Sequence, residues 1–203
     1  MNERPLILVT NDDGITAPGI RMLIEIMNKI GDVVVVAPDS PQSGMGHAIT
    51  IGKPLRLKRS TIFKDIEAYE CSGTPVDCVK LAVDKVIGRK PDICLSGVNH
   101  GSNSSINIIY SGTMSAAMEA AIEGIPAVGF SYLDYSAEAD FLTGQTKVGG
   151  AKLDFFKDNF PCCFNLLTLA STSMFIFAFV SSVIHGILSG LKIYSPPFAS
   201  PII

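Results

Sequence analysis

The sequence predicts an α/β fold, a Rossmann-like, doubly wound and mostly parallel sheet, and three observations carry the prediction. Leu6-Ile7-Leu8-Val9 and Val33-Val34-Val35-Val36 are unbroken apolar runs bounded by turn residues, the pattern of strands buried on both faces. A helix-length segment separates them, with Ile20, Leu23, Ile24 and Met27 at helical spacing, which completes a βαβ unit. The alternation then returns: Val76 to Val86 reads as a helix, Ile93 to Leu95 as a strand, Met114 to Ile122 as a helix and Ala127 to Phe130 as a strand.

Each element has local reasons. In the first unit Thr16 is expected to cap the helix, Pro18 to occupy its first turn and Gly31 to end it. Between Ala48 and Tyr69 apolar residues alternate with polar ones, at Ile49 and Ile51 and again at Leu55 and Leu57, which predicts a β-hairpin arm inserted after the second strand.

Composition bounds the rest. The 203 residues are 47% hydrophobic and 17% charged, enough to bury a core and to exclude a disordered chain. A net charge of −3 gives no basic footprint, so nucleic-acid duplexes are excluded as partners. Cys71, Cys78, Cys94, Cys162 and Cys163 form no CxxC pair, and the start MNERPLILVT lacks a secretory apolar core, so a reduced cytoplasmic protein with ordinary buried thiols is expected. Of 16 basic and 19 acidic residues, Lys192 alone lies beyond residue 158, so the chain divides into a charged domain, 1–158, and an apolar tail, 159–203.

In a doubly wound sheet ligands bind at the carboxyl ends of the strands, so the residues following each strand matter most. Asp12 and Asp13 follow the first strand, and two adjacent carboxylates repel unless a cation lies between them; hard oxygen ligands suit Mg²⁺, Mn²⁺ or Ca²⁺. The plain alternative is an Asx-Gly turn through Gly14. Ser43 after the second strand and Asn99 after the Ile93 strand are neutral oxygen donors that would complete such a shell. Tyr110-Ser111-Gly112-Thr113 directly precedes a helix, whose first amides favour an anion such as phosphate, unless Ser111 or Thr113 is simply an N-cap. A cation site and an anion site at one sheet edge point to phosphoryl chemistry. His47 reads as an ordinary loop histidine, whereas His100, next to Asn99, is a candidate for binding or for protonating a leaving group.

Residues 6–141 resemble the survival protein E (SurE) family of metal-dependent 5′/3′-nucleotidases, through NDDG, APGI, VVAPDSPQSG, SGTPVDCV, PDICLSGVNHGSN and YSGT in the family's spacing. The resemblance implies metal ligands Asp12, Asp13, Ser43 and Asn99, one divalent cation (Mg²⁺ or Mn²⁺) per subunit, and phosphate-side contacts from Asn103, Ser111, Gly112 and Thr113. It implies hydrolysis of nucleoside monophosphates to nucleoside and phosphate; in the mechanism expected from these residues Asp12 and Asp13 are the catalytic carboxylates and Asp12 accepts the proton of the attacking water. It also implies a homodimer or tetramer built through C-terminal elements.

Two rival readings are weighed against this. A haloacid-dehalogenase-type phosphatase needs the pattern DxDGT, and here Asn11 stands in the nucleophile position and Ile15 in that of the Thr. A remnant that binds metal and nucleotide without turnover, or a membrane-tethered scaffold, is the rival from outside enzymology. The tail is where the resemblance stops. Residues 159–191 carry no Asp, Glu, Lys or Arg, and a replaced C-terminus such as a frame change produces, a membrane anchor and a buried core helix each account for that. The first is preferred, because Asn165, His185 and several hydroxyls make the stretch more polar than typical anchors.

Overall fold

A computed structural model describes residues 4–101, 103, 107–132 and 174–179. Strands β1 (Leu6–Thr10), β2 (Asp32–Pro38), β3 (Leu57–Ser60), β4 (Glu67–Cys71), β5 (Ile93–His100), β6 (Ala127–Tyr132) and β7 (Met174–Phe179) form one sheet in the order β3-β4-β2-β1-β5-β6-β7. The five central strands, from β4 to β6, run parallel; β3 and β7 are antiparallel edges. The helices are α1 (Pro18–Met27), α2 (Pro75–Leu81), the short α3 (Asn107–Tyr110) and α4 (Gly112–Ile122).

The strand side chains alternate between two cores because successive residues of a strand face opposite ways. Ile7, Val9, Val33, Val35, Ile93 and Leu95 pack with Ile20, Leu23, Ile24 and Met27 of α1. Leu8, Val34, Val36 and Cys94 pack on the other face with Cys78 and Val79 of α2 and Ala116, Ala117 and Ala120 of α4. This explains the unbroken apolar runs: a strand covered on both faces has no position for a polar residue. The chain leaves β1 for β2 on one side and later returns to β5 on the other, so a crevice opens beyond the carboxyl ends of β1 and β5.

Several local expectations change. Pro18 does start α1, but the N-cap is Ala17, which makes no side-chain cap bond, so Thr16 lies one residue too early to serve. The predicted helix 76–86 is α-helical over Pro75–Leu81 and continues as a π-helical turn over Ala82–Val86. The hairpin is present as β3 and β4, yet β4 also pairs with β2, so the arm is an extension of the main sheet. Ile49 and Ile51 belong to no strand and are exposed, because the chain from 39 to 56 crosses the surface as a loop. The strand read as Ile93–Leu95 runs on to His100: Gly97, at φ +124°, absorbs a register shift, and pairing with β6 resumes at Asn99 and Ser131. Asn99 is therefore part of a strand end. A Cβ at Gly97 would stand 2.6 Å from the Phe130 carbonyl oxygen, which leaves room for glycine alone.

The division at 158/159 falls outside the described residues. Of the apolar tail they include only 174–179, which pair along β6 from Tyr132 to Ala127. No helix among the described residues is long and apolar enough to cross a membrane. Cys71, Cys78 and Cys94 are buried free thiols; Cys162 and Cys163 lie outside the described residues.

Among the described residues, the start of α2 carries the fullest set of side-chain cap bonds. Thr74 and Asp77 form a reciprocal capping box, and the Asp77 carboxylate also accepts from the Thr50 amide (3.1 Å) and hydroxyl (2.6 Å), while the Thr74 hydroxyl donates to the Ala48 carbonyl. Asp77→Ala strips three donors of their acceptor, one of them buried, and is expected to cost about 3 kcal/mol in a urea unfolding titration, with each orphaned donor contributing on the order of 1 kcal/mol.

Candidate active site

The turn after β1 is built from its own sequence. Asn11, fully buried, donates from Nδ2 to the Gly14 carbonyl (2.9 Å), and Gly14 takes φ +95°, a conformation a side chain would disfavour. An amide thus occupies the position where a phospho-aspartate chemistry would need a carboxylate. The Asx-Gly turn is real, but it is also what holds Asp12 and Asp13 at the crevice. Ile15 N–H bonds to the Pro38 carbonyl (2.9 Å) and Gln42 N–H to the Asp12 carbonyl (2.7 Å), so the loops after β1 and β2 are sewn together.

Asp12 is only 4% exposed. Its Oδ1 accepts a short hydrogen bond from the Thr113 hydroxyl, and the Thr113 amide donates to the same carboxylate. Gly112 approaches so closely that a Cβ there would lie 2.6 Å from the Asp12 Cβ and 3.0 Å from its Oδ2. Burial pushes the Asp12 carboxyl up to about 6, the Thr113 hydroxyl pulls it down, and the Asp13 carboxylate raises it further. Burial also raises Asp13, against the pull of the His100 backbone amide and the charge of its ring. Two adjacent carboxylates thus lie beyond β1, both held above the ordinary range by burial.

The remaining candidates surround them unequally. Asn99 donates from Nδ2 to the Gly101 carbonyl (2.8 Å) and to Asn103 Oδ1 (3.3 Å), and buried Asn103 donates to the Ser131 hydroxyl (2.8 Å). Ser43 is exposed on the loop that Gln42 ties to Asp12. Helix α4 begins at Gly112, two residues earlier than the periodicity placed it, with Ser111 as N-cap: its hydroxyl accepts from the Met114 amide (3.1 Å). Ser111 is therefore a cap and Thr113 a partner of Asp12, so both hydroxyls already have work within the protein. Among the described residues no group of three or more His, Cys, Asp and Glu gathers as a metal site, so a cation here would rely on the two carboxylates and on neutral oxygens such as those of Asn99 and Ser43.

The residues missed at the sequence level are Gln42, Ser131, and above all Glu119 of α4, which is buried and bonded to His47 Nε2 (2.7 Å) and Lys80 Nζ (2.6 Å). Burial works to raise the Glu119 carboxyl, but Lys80 and His47 together outweigh it and hold it below the ordinary range. Glu119 stands seven residues after Gly112, two helical turns away, a spacing that would have placed it on the same face of α4. Nothing in a single sequence says that a histidine 72 positions earlier meets it.

Fold and site together define a Rossmann-like α/β protein whose crevice between β1 and β5 presents paired carboxylates to a helix N-terminus. The family model of Survival protein SurE matches residues 7–162, and the chain belongs to that family. It is 69% identical over 141 residues to the 5′-nucleotidase SurE of Christiangramia forsetii, covering 68% of this chain and 54% of that protein. To the 5′-nucleotidase SurE of Flavobacterium psychrophilum it is 64% identical over 159 residues, 78% of this chain and 62% of that protein. The crystal structure of the SurE protein from Aquifex aeolicus superposes with a TM-score of 0.63 at 36% identity, over 83% of this chain and 62% of that one. The chain thus spans a little over half the length of these curated relatives, and the family match runs 21 residues past the stretch in which the motifs are recognisable, from 141 to 162.

Proposed function

We propose that this chain carries the active site of a divalent-metal-dependent phosphomonoesterase that hydrolyses nucleoside 5′- or 3′-monophosphates to nucleoside and phosphate. The observation that carries the reading is the convergence of Asp12 and Asp13 with the first turn of α4 at the sheet's switch point, in a chain whose relatives are named 5′-nucleotidases. One Mg²⁺ or Mn²⁺ per subunit would be held by Asp12, Asp13, Ser43 and Asn99, and when bound it supplies charge neutralisation for the phosphate and a lowered pKa for water. Asp12 is the residue assigned to accept the proton of the attacking water, its carboxylate being held in place at the crevice by the Thr113 hydroxyl and amide. Asn103, Ser111, Gly112 and Thr113 form the phosphate side, where the positive end of the α4 dipole favours developing negative charge while the Thr113 amide serves Asp12. Because Thr113 is bonded to Asp12, the carboxylate and the helix start keep a set spacing. His100, at the end of β5 with its amide on Asp13, is the residue we assign to protonating the departing nucleoside.

The test is phosphate release from a panel of nucleoside 5′- and 3′-monophosphates with Mn²⁺, with Mg²⁺ and with a chelator. Release that needs the cation is expected. Hydrolysis that survives exhaustive chelation, or none from any nucleotide under metal saturation, would overturn the proposal.

A further inference from the structure

We infer that His47 is a positioning residue: its bond to Glu119 fastens the loop that carries Ser43 onto the helix that carries Gly112 and Thr113. The inference rests on the metal-dependent reading above for what that spacing serves. After β2 the chain from 39 to 50 is bonded first to the turn after β1 and then to α4 and α2. At its near end Gln42 N–H bonds to the Asp12 carbonyl (2.7 Å) and Gly46 N–H to the Tyr110 carbonyl (3.2 Å). At its far end the Ala48 carbonyl accepts from Thr74, and Thr50 is bonded to Asp77. Ser43 lies within the near end, between Gln42 and Gly46, exposed, with the turn bond from Met45 N–H to the Gln42 carbonyl (3.4 Å) beside it.

Among the described residues, His47 provides the side-chain hydrogen bond between this loop and α4, at 2.7 Å. Its partner cannot drift. Glu119 is 4% exposed, and its other oxygen is held by Lys80 at 2.6 Å, so the carboxylate is gripped from the loop on one side and from α2 on the other. A glycine on either side of Met45, Gly44 at φ +74° and Gly46 at φ +56°, makes this stretch pliable in its own right, and the His47 side chain adds to the backbone bonds at Gln42 and Gly46 an attachment that restricts that freedom. The fastener therefore acts on Ser43 through the backbone, without touching the reacting atoms.

The experiment uses the full chain and two readouts. Calorimetric titration with Mn²⁺ is expected to show about tenfold weaker binding for His47→Ala and for Ser43→Ala, a loss typical of removing a metal site's supporting contact. The double variant is expected to be no weaker than the worse single one, because both remove the same contribution. His47→Gln, which returns a side-chain N–H at similar reach, recovers most of the affinity. Hydrogen exchange on the metal-free protein supplies the second readout: the Gln42, Met45 and Gly46 amides lose protection in His47→Ala and keep it in His47→Gln. If His47→Ala does not fold, His47→Asn, which is polar but too short to reach Glu119, gives the same comparison. Additive losses with Ser43→Ala, or unchanged exchange at 42–46, would overturn the inference. A wild-type chain that binds no Mn²⁺ would overturn the metal reading instead, and the exchange data would still decide the fastening.

Discussion

Asp12→Asn is expected to reduce metal-dependent phosphate release by about 10³-fold, the several kcal/mol of charge stabilisation and water activation that such a site supplies. The same substitution is expected to make the metal-free protein more stable, and the sign follows from the direction of the shift. The Asp12 carboxyl sits at about 6 in the fold against 3.8 in the unfolded chain, so between those values the folded state binds more protons. The contribution of this group to the stability of the metal-free wild type is therefore fully present below 3.8 and is lost as pH rises through 6, roughly 3 kcal/mol in all. In Asp12→Asn that part of the slope disappears. Urea melts from pH 4 to 7, with and without Mn²⁺, check both halves: the cation stabilises wild type and leaves the variant unchanged. A variant with the wild-type pH slope would show that Asp12 is not the group responsible.

The second large effect is expected at Gly112. An alanine there would push its Cβ to 2.6 Å from the Asp12 Cβ, and neither neighbour can yield easily, because Thr113 holds the carboxylate and Ser111 caps the helix. Moving Asp12 relative to α4 by a fraction of an ångström is expected to lower kcat/KM about 10²-fold, the sensitivity of a positioned catalytic group to displacement. The overpacking itself should cost about 1–3 kcal/mol of stability. Gly88→Ala is the control: a Cβ there meets nothing within 4 Å, and both activity and stability should stay near wild type. Nucleotidase assays and thermal melts of the two variants side by side separate loss of geometry from loss of fold.

The strands, the doubly wound class and the adjacent carboxylates were legible in the residues because each depends on short-range pattern. Leu6 to Val9 and Val33 to Val36 are apolar throughout, so only a strand covered on both faces could use them, and the turn chemistry of Asn11-Asp12-Asp13-Gly14 requires no partner to be recognised. Boundaries were less legible where a tertiary contact extended an element. The strand through Asn99 continues past Gly97 only because β6 is there to pair with it, and α4 starts at Gly112 because Ser111 caps it. What the tertiary structure alone decided is which side chains meet. Thr113 and Asp12 are separated by 101 positions, and His47 and Glu119 by 72. Periodicity and spacing report the face a residue occupies within its own element. Whether a hydroxyl aims at a phosphate or at a neighbouring carboxylate, and whether a loop histidine is solvated or fastened, is settled only when burial forces each polar group to find a partner across the fold.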